Sequence, residues 1–195
     1  LQIDTSDLTA MERALRCYNG KPMLNSVNGK QESMDAVFPL AKKYGAVVVC
    51  LCLDEGGIPE TVEGRLAIAE KIVKKALEMG IPKEDIFIDC LVVTASAQQT
   101  LVKETLKAVR LVKEKLEVKT VLGVSNVSFG LPQRPIINRN MLAMAMMQGL
   151  DAPIMNPGDQ GMMEAVASYR VLMGLDEDSK EYIEQYGNIT SPSTT

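Results

Sequence analysis

The feature of this sequence that most constrains its fold is an alternation between short apolar runs and longer amphipathic ones. Short apolar runs bounded by polar turn residues are typical of strands that are buried on both faces, because such strands show no polar alternation. The six candidate strands are LQID (1–4), PMLN (22–25), AVVVCLCLD (46–54), DIFIDCLVV (85–93), KTVLGVSN (119–126) and APIMN (152–156).

The segments between these strands predict helices. In the 61–80 segment apolar residues recur at helical spacing, and Gly80 is a natural stop. The segments 138–149 and 161–174 predict two further helices, each ending at a glycine. The same spacing is seen at Leu101, Val102, Leu106, Val109 and Val112. One helix carries a methionine-rich face, which we interpret as core filler rather than a binding surface: Met141, Met144, Met146 and Met147.

Six strand–helix repeats predict an α/β fold built on a parallel sheet. A doubly wound sheet accommodates six repeats, whereas a TIM (β/α)8 barrel needs eight. The chain begins directly on a strand, and we expect a TIM-type barrel that lacks its first two βα units. We expect the barrel domain to span 1–174, followed at 175–195 by a short surface helix and a polar tail or linker.

Composition excludes several classes of partner. A net charge of −4 and a pI near 5.0 argue against nucleic acid as the main ligand. No apolar run approaches the roughly 20 residues that span a bilayer, and no basic segment precedes a cleavable signal. We therefore expect no membrane partner and a cytoplasmic location.

The cysteines Cys17, Cys50, Cys52 and Cys90 are interpreted as small hydrophobic residues of a reducing compartment. A zinc site is the alternative, but the chain has no C-x-x-C motif and no histidine, so we expect no metal site. The absence of histidine also excludes nucleophile activation by a histidine of this chain.

Polar side chains recur at or near the ends of the candidate strands. They are Asp4, Asn25, Asp54, Asp89, Asn126 and Asn156. Because the carboxyl ends of parallel strands open onto one face, these side chains should surround one mouth. Asp and Asn also cap helices and begin turns, and Asp4 and Asp54 in particular could be turn residues.

A ring of carboxylates and amides without a cation suits a neutral heterocycle that carries several N–H donors. A phosphate ligand would instead need a glycine-rich loop or a cluster of cations, and DEGG (54–57) lacks the P-loop lysine. In VLGVSNVSFG (121–130), Asn126 is predicted to end a buried strand, and a buried amide needs either a protein partner or a ligand partner.

The chain resembles the methyltetrahydrofolate-binding methyltransferases to about Gly174. These include the pterin-binding domain of cobalamin-dependent methionine synthase and the methyltetrahydrofolate:corrinoid iron–sulfur protein methyltransferase. The resemblance rests on the stretches LQIDTSD, PMLNSVNG, FPLAKKYGA, EGRLA, IFIDCLV and TVLGVSNVSFGLPQRPIINRNMLAMAMMQGLDAPIMNP. The last of these is the most specific.

The resemblance implies a TIM barrel with a pterin in its mouth. Asp4, Asn25 and Asp89 would grip the 2-amino-pyrimidinone edge, and Asn126 would reach N5, which carries the methyl group. Asn126 would then be the catalytic residue, acting by hydrogen-bonding N5 more strongly in the transition state. Gly130 and the small residues nearby would leave room for the ring. Candidates of second rank are Ser128, Gln133 and Arg134, the last facing either the glutamate tail or the chain's own acidic groups.

The resemblance further implies methyltetrahydrofolate as methyl donor and the Co(I) centre of a corrinoid as acceptor. Without histidine this chain cannot supply the usual corrinoid ligand, so the corrinoid would be carried on another protein or domain. Alternative interpretations are a non-catalytic pterin-binding fragment and an enzyme similar to dihydropteroate synthase. The sequence leaves open a tetrahydromethanopterin donor and a homodimeric assembly.

Overall fold

A computed structural model describes residues 1–187, which form a parallel sheet with helices packed along it. The strands are β1 (Gln2–Asp4), β2 (Met23–Asn28), β3 (Val47–Leu51), β4 (Ile86–Asp89), β5 (Lys119–Gly123) and β6 (Ala152–Ile154). The helices are α1 (Leu8–Cys17), α2 (Gln31–Tyr44), α3 (Val62–Glu78), α4 (Ala95–Leu116), α5 (Arg134–Met147), α6 (Gln160–Leu172) and α7 (Lys180–Tyr186).

The strands pair in the order β1-β2-β3-β4-β5-β6, and every pairing is parallel. Sequential order with right-handed crossovers places all the helices on one side of the sheet, as in a barrel, whereas a doubly wound sheet reverses its order partway. The α/β prediction of a partial TIM-type barrel is therefore confirmed.

The two faces of the sheet carry different side chains. Toward the helices the strands present a buried apolar set that includes Leu24, Val48, Cys50, Ile88 and Leu122. The alternate positions face the inside of the curl; there Val49 and Val121 are buried, and Leu51 borders an open cavity. Because strand side chains alternate with a period of two, this register decides which residues can reach a ligand.

The curl does not close within residues 1–187, since β1 and β6 are edges that pair with no further strand there. Apolar side chains remain exposed on β6 and at the end of α6, with Ile154 at 39% and Leu172 at 82%. Along α6 only Met162 is buried. The six strands thus form a partial barrel with an apolar open side.

Several predicted boundaries were wrong, and these errors matter for the site. β5 ends at Gly123, and Val124–Ser128 form a 3-10 helix, so Asn126 does not end a strand. β3 ends at Leu51, so Asp54 lies in the following turn. Asp89 is the last residue of β4.

The cysteines and methionines divide between the core and the surface. Cys50, Cys52 and Cys90 are buried as expected, whereas Cys17 is exposed. Met141 and Met146 fill the core, but Met144 and Met147 are 51% and 58% exposed. The prediction of core filler was wrong for Met144 and Met147, because they lie on the side of α5 that faces away from the sheet.

The segment that follows α6 contains one short helix, α7 (Lys180–Tyr186). The rest of the predicted polar tail, 188–195, lies outside the described residues. Within 1–187, no helix has the length and apolar character needed to cross a membrane.

Gly29 follows β2 and contacts the loop between β3 and α3. Its N–H donates to the carbonyl of Leu53 at 2.8 Å, and its carbonyl accepts from Lys71 Nζ at 2.6 Å. A Cβ at this position would lie 2.7 Å from Ile68 Cγ2 and 2.9 Å from the Leu53 carbonyl oxygen. The two loops at the mouth can therefore meet only because no side chain separates them.

We expect Gly29→Ala to lower the free energy of unfolding by about 1–3 kcal/mol, because backbone must move to admit the methyl group. Gly161→Ala is the matched control, since a Cβ there meets nothing nearer than 3.4 Å. Denaturant unfolding of both variants checks this, and equal stabilities would contradict it.

Candidate ligand-binding site

The carboxyl ends of the strands open into a cavity of about 570 Å³. Five strands contribute to its wall through their last residues or the loop that follows, whereas β2 continues to Asn28 and contributes Asn25 and Ser26 from its middle, so Asn25 does not end a strand as the sequence predicted. The lining residues are Asp4, Asn25, Ser26, Leu51, Asp89, Gly123, Ser125, Asn126, Ile154, Met155 and Asn156. The structure thus brings together the four residues expected to contact a pterin: Asp4, Asn25, Asp89 and Asn126.

Asp4 and Asn25 form a pair on neighbouring strands. They are partners in the parallel register of β1 and β2, and Asn25 Nδ2 donates to Asp4 Oδ2 at 3.2 Å. Within the described part of the chain, Asp4 Oδ1 and Asn25 Oδ1 accept no hydrogen bond. This pair therefore presents acceptor oxygens to the cavity in an orientation that the shared hydrogen bond restrains.

Asp89 is the most deeply placed acid of the cavity, with only 7% of its surface exposed. Its Oδ1 accepts from the backbone N–H of Leu91 at 2.7 Å, and Oδ2 has no partner among the described residues. Burial raises the pKa of this carboxyl to about 7, although the Leu91 hydrogen bond and the positive charge of Arg65 lower it in part. Only one of the two carboxylate oxygens thus has a hydrogen-bond partner, and the ionised form is unfavourable in free energy unless a ligand donates to the other oxygen.

Asn126 is exposed in its 3-10 helix, so the inference that it is a buried amide was wrong. Its side chain reaches back over the end of β5, where a Cβ on Gly123 would lie 2.9 Å from Asn126 Nδ2. Gly123 therefore makes room for this amide. Gly130 does not line the cavity; it occupies a turn at a φ of +75° beside Ser96.

Ser128, Gln133 and Arg134 do not line the cavity. Ser128 is fully buried and accepts from Arg134 Nε at 2.9 Å, while Arg134 Nη2 donates to the Ser125 carbonyl at 3.0 Å. The Arg134 guanidinium also lies over the Phe129 ring, 4.5 Å from its centroid. These contacts brace the 3-10 helix that carries Asn126, and Gln133 lies at the start of α5 with a φ of 51°.

Of the two remaining residues of the expected ring, Asn156 lines the cavity and Asp54 does not. Asn156 lines the cavity while its Oδ1 accepts from the Gly158 N–H at 3.0 Å. Asp54 lies elsewhere, and its Oδ1 accepts from the Gly56 N–H at 2.8 Å. The turn interpretation therefore applies to Asp54.

Sequence reasoning missed several lining residues. Leu51 is the register partner of Asp89, and Gly123 is the partner of Ile154. Leu51 and Ile154 occupy the alternate strand positions that face the inside of the curl. Identifying them requires the pairing register of the strands, which cannot be read from the sequence. A glycine directly after an apolar run was the available signal for Gly123.

The charge of the cavity is negative. Its described lining contains the carboxyl groups of Asp4 and Asp89 and neither lysine nor arginine. Within residues 1–187, no group of three or more cysteines and acids is placed to hold a metal ion. The arrangement can accept several hydrogen bonds from a ligand and can offer amide donors from Asn25 and Asn126.

Asp89 should make stability depend on pH. In the folded state its pKa is about 7 against an ordinary value of 3.8, so the folded chain binds the extra proton between these values and loses stability as pH rises through that window. We expect Asp89→Asn to be more stable than the parent at pH 8, by on the order of 2–4 kcal/mol, and nearly equal to it at pH 4.

Denaturant unfolding across that pH range checks this expectation. Asp4→Asn is the matched control, because it makes the same change at an exposed aspartate of the same cavity. Parallel profiles for the parent and Asp89→Asn would contradict the assigned cost of burial.

The sequence was compared with protein families and with known proteins. The family described as pterin binding enzyme matches residues 1–156. The methylcorrinoid:tetrahydrofolate methyltransferase of Eubacterium limosum is 27% identical over 191 residues, covering 95% of this chain and 70% of that protein. The methionine synthase of Mycobacterium leprae (strain TN) is 32% identical over 169 residues, which are 80% of this chain but 14% of that protein.

Solved structures show the same fold. The dihydropteroate synthase of Thermus thermophilus has a TM-score of 0.67 at 20% identity, covering 88% of this chain and 70% of that one. The Yersinia pestis dihydropteroate synthase with a pterine–sulfa conjugate has a TM-score of 0.65 at 14% identity, covering 89% and 68%.

The family match covers most of the chain, and the curated relatives carry the names of the enzymes that the sequence resembles. This chain belongs to the pterin binding enzymes, and the curated relatives it resembles include a methyltransferase and a methionine synthase.

Proposed function

We propose that this chain binds methyltetrahydrofolate in the cavity at the strand ends and transfers its N5-methyl group to the Co(I) centre of a corrinoid on another protein or domain. The observation that carries the proposal is the convergence of Asp4, Asn25, Asp89 and Asn126 on one cavity of about 570 Å³. The domain that carries this activity is proposed to span residues 1–174, with 175–195 outside it.

The acceptor groups suit the pyrimidinone edge of a pterin. That edge offers an amino group and a ring N–H side by side, and an ionised carboxylate can accept both in parallel. Asp89 is the proposed partner because its Oδ2 is free among the described residues and its Oδ1 is already oriented by Leu91. Asp4 and Asn25 would complete the grip through their remaining oxygens.

Asn126 is proposed to act at N5. A methyl group on a tertiary amine leaves poorly unless N5 gains a proton or strong hydrogen bonding as the bond breaks. An amide that hydrogen-bonds N5 more strongly in the transition state would accelerate the transfer. Asn126 makes no side-chain hydrogen bond within 1–187, so its amide is available, and with no histidine in the chain the proton would arrive through water.

The corrinoid is proposed to come from outside this chain. Free-standing and fused corrinoid partners are both compatible with the relatives, since the chain spans 70% of one and 14% of the other. The pterin is proposed to be a tetrahydrofolate rather than a tetrahydromethanopterin, because the name of the first relative gives tetrahydrofolate and a methylcorrinoid as its pair of substrates.

The likeness to dihydropteroate synthases concerns the fold, at 14–20% identity. An enzyme that expels pyrophosphate needs cations near the leaving group. The described lining of the cavity contains no lysine or arginine, so methyl transfer is the better proposal. A methylation assay with free reduced cobalamin separates it from a pterin-binding module without catalytic activity.

We expect calorimetric titration with methyltetrahydrofolate to show saturable binding near one site per chain. Asp89→Ala should weaken that binding about tenfold to hundredfold, since hydrogen bonds to a charged group are each worth about 1.5–3 kcal/mol. Asp54→Ala is the matched control, because Asp54 lies in a turn outside the cavity. Equal losses in both variants, or no binding by a folded parent, would refute the proposed site.

We expect Asn126→Ala to lower kcat about tenfold to hundredfold while KM changes less, because the amide acts mainly in the transition state. Steady-state methylation of free reduced cobalamin measures both constants. Asn156→Ala is the control amide, whose carbonyl oxygen already serves a turn. A loss confined to KM would assign Asn126 to binding alone.

A further inference from the structure

A buried arginine lies behind Asp89. Arg65 of α3 has no exposed surface and is the largest of the fully buried side chains among the described residues. Its partners are neutral oxygens, and no carboxylate within 1–187 pairs with it. Its Nη2 has no partner at all among these residues. A buried cation in such surroundings is costly, so stability alone is a poor explanation for it.

The hydrogen bonds of Arg65 gather the segments around the end of β4. Nε donates to the Pro59 carbonyl at 2.9 Å, before α3. Nη1 donates to the Cys90 carbonyl at 3.0 Å, to the Leu91 carbonyl at 3.3 Å and to Thr105 Oγ1 of α4 at 2.6 Å. One guanidinium thus ties α3 and α4 to the two residues that follow Asp89.

Leu91 connects this clamp to the cavity. It has a φ of 62°, which a leucine rarely adopts, and its peptide is held from both ends. Its N–H donates to Asp89 Oδ1 at 2.7 Å, while its carbonyl accepts from Arg65 and from Thr105 Oγ1. The turn that orients the Asp89 carboxylate is therefore fixed by Arg65.

We propose that Arg65 is a positioning residue for ligand recognition: it holds the Cys90–Leu91 turn so that Asp89 Oδ2 faces the cavity, and it places a permanent positive charge behind that carboxylate. This inference rests on the proposed function, since Asp89 is taken as the group that grips the pterin edge.

The other groups facing Asp89 cannot supply that charge. Cys52 on the segment after β3 is a buried thiol whose pKa is raised by its hydrogen bond to Cys90 and by burial, so it stays neutral. Across the cavity β1 contributes the acid Asp4, while β5 and β6 are followed by amides. Arginine stays protonated at every pH of interest, so the Arg65 charge does not titrate away.

The test replaces Arg65 by neutral side chains of similar length, Arg65→Met and Arg65→Gln. Methyltetrahydrofolate binding is measured by calorimetry from pH 5.5 to 9. Without the cation, Asp89 should ionise about one pH unit later, so binding at pH 7 should fall about fivefold and recover toward pH 9. Arg65→Gln keeps a donor for the Leu91 carbonyl, and so it serves if the methionine variant does not fold.

Thr105→Val is the matched control, because it removes a hydroxyl that contacts the same Leu91 carbonyl and leaves the guanidinium in place. It should lower stability without moving the pH midpoint of binding. Arg65→Lys keeps the charge but not the fork of donors, so it should weaken binding at every pH with an unchanged midpoint. Uniform weakening in the neutral variants, with no shift of midpoint, would overturn the proposal and leave Arg65 a structural tie.

A ligand-free measurement separates this inference from the proposed function. The side-chain carboxyl carbons of 13C-labelled aspartate are titrated by NMR, with Asp89 assigned from Asp89→Asn. A higher midpoint for Asp89 in Arg65→Gln supports the inference about charge even if methyltetrahydrofolate fails to bind the parent chain. An unchanged midpoint contradicts it even if binding is tight.

Discussion

The site depends on the register of the parallel sheet. Side chains alternate between the faces of a strand, so the pairings of Asp4 with Asn25 and of Leu51 with Asp89 place these residues on the inside of the curl. A slip of one residue in any strand would exchange its cavity residue for one that packs against the helices. The buried apolar layer under α2, α3 and α4 makes such a slip costly, and the helix-facing core thereby fixes the composition of the opposite face.

At Asp89, the protonation state that favours stability differs from the one that favours ligand recognition. A carboxyl at the dry end of a strand favours its protonated form, whereas recognition of adjacent N–H donors needs the ionised form. The Leu91 N–H and the Arg65 charge lower the pKa of Asp89 and so move the balance back toward ionisation. They do so through a leucine at positive φ and through an arginine whose Nη2 has no partner among residues 1–187, and both features lower stability. Strain of this kind close to a cavity is typical of a functional site.

The shared fold leaves the chemistry of this cavity to the residues that line it. The dihydropteroate synthases resemble this chain in backbone, but a fold does not determine a reaction. The polar side chains of the described lining include carboxyl and amide groups. Two arginines lie nearby but outside that lining. Arg134 donates to Ser128 and braces the 3-10 helix of Asn126, and Arg65 lies behind Asp89. Both positive charges thus lie outside the described lining of the cavity and contact the segments that carry Asp89 and Asn126.

The sequence by itself determined the sheet class, the helices between the strands and five residues of the cavity. The spacing of apolar residues and the polar residues near strand ends are local patterns, so they can be read without knowledge of the tertiary structure. The tertiary structure decided the rest. Asn126 is exposed because β5 ends at Gly123, and Arg134 turns away from the cavity because Ser128 and the Ser125 carbonyl accept its hydrogen bonds. Arg65 lies in a segment that the sequence predicts to be helical, and its burial comes from tertiary contacts. Its hydrogen bonds to Cys90, Leu91 and Thr105 join residues 25 to 40 positions apart, and no local pattern encodes which distant oxygens a buried guanidinium will meet.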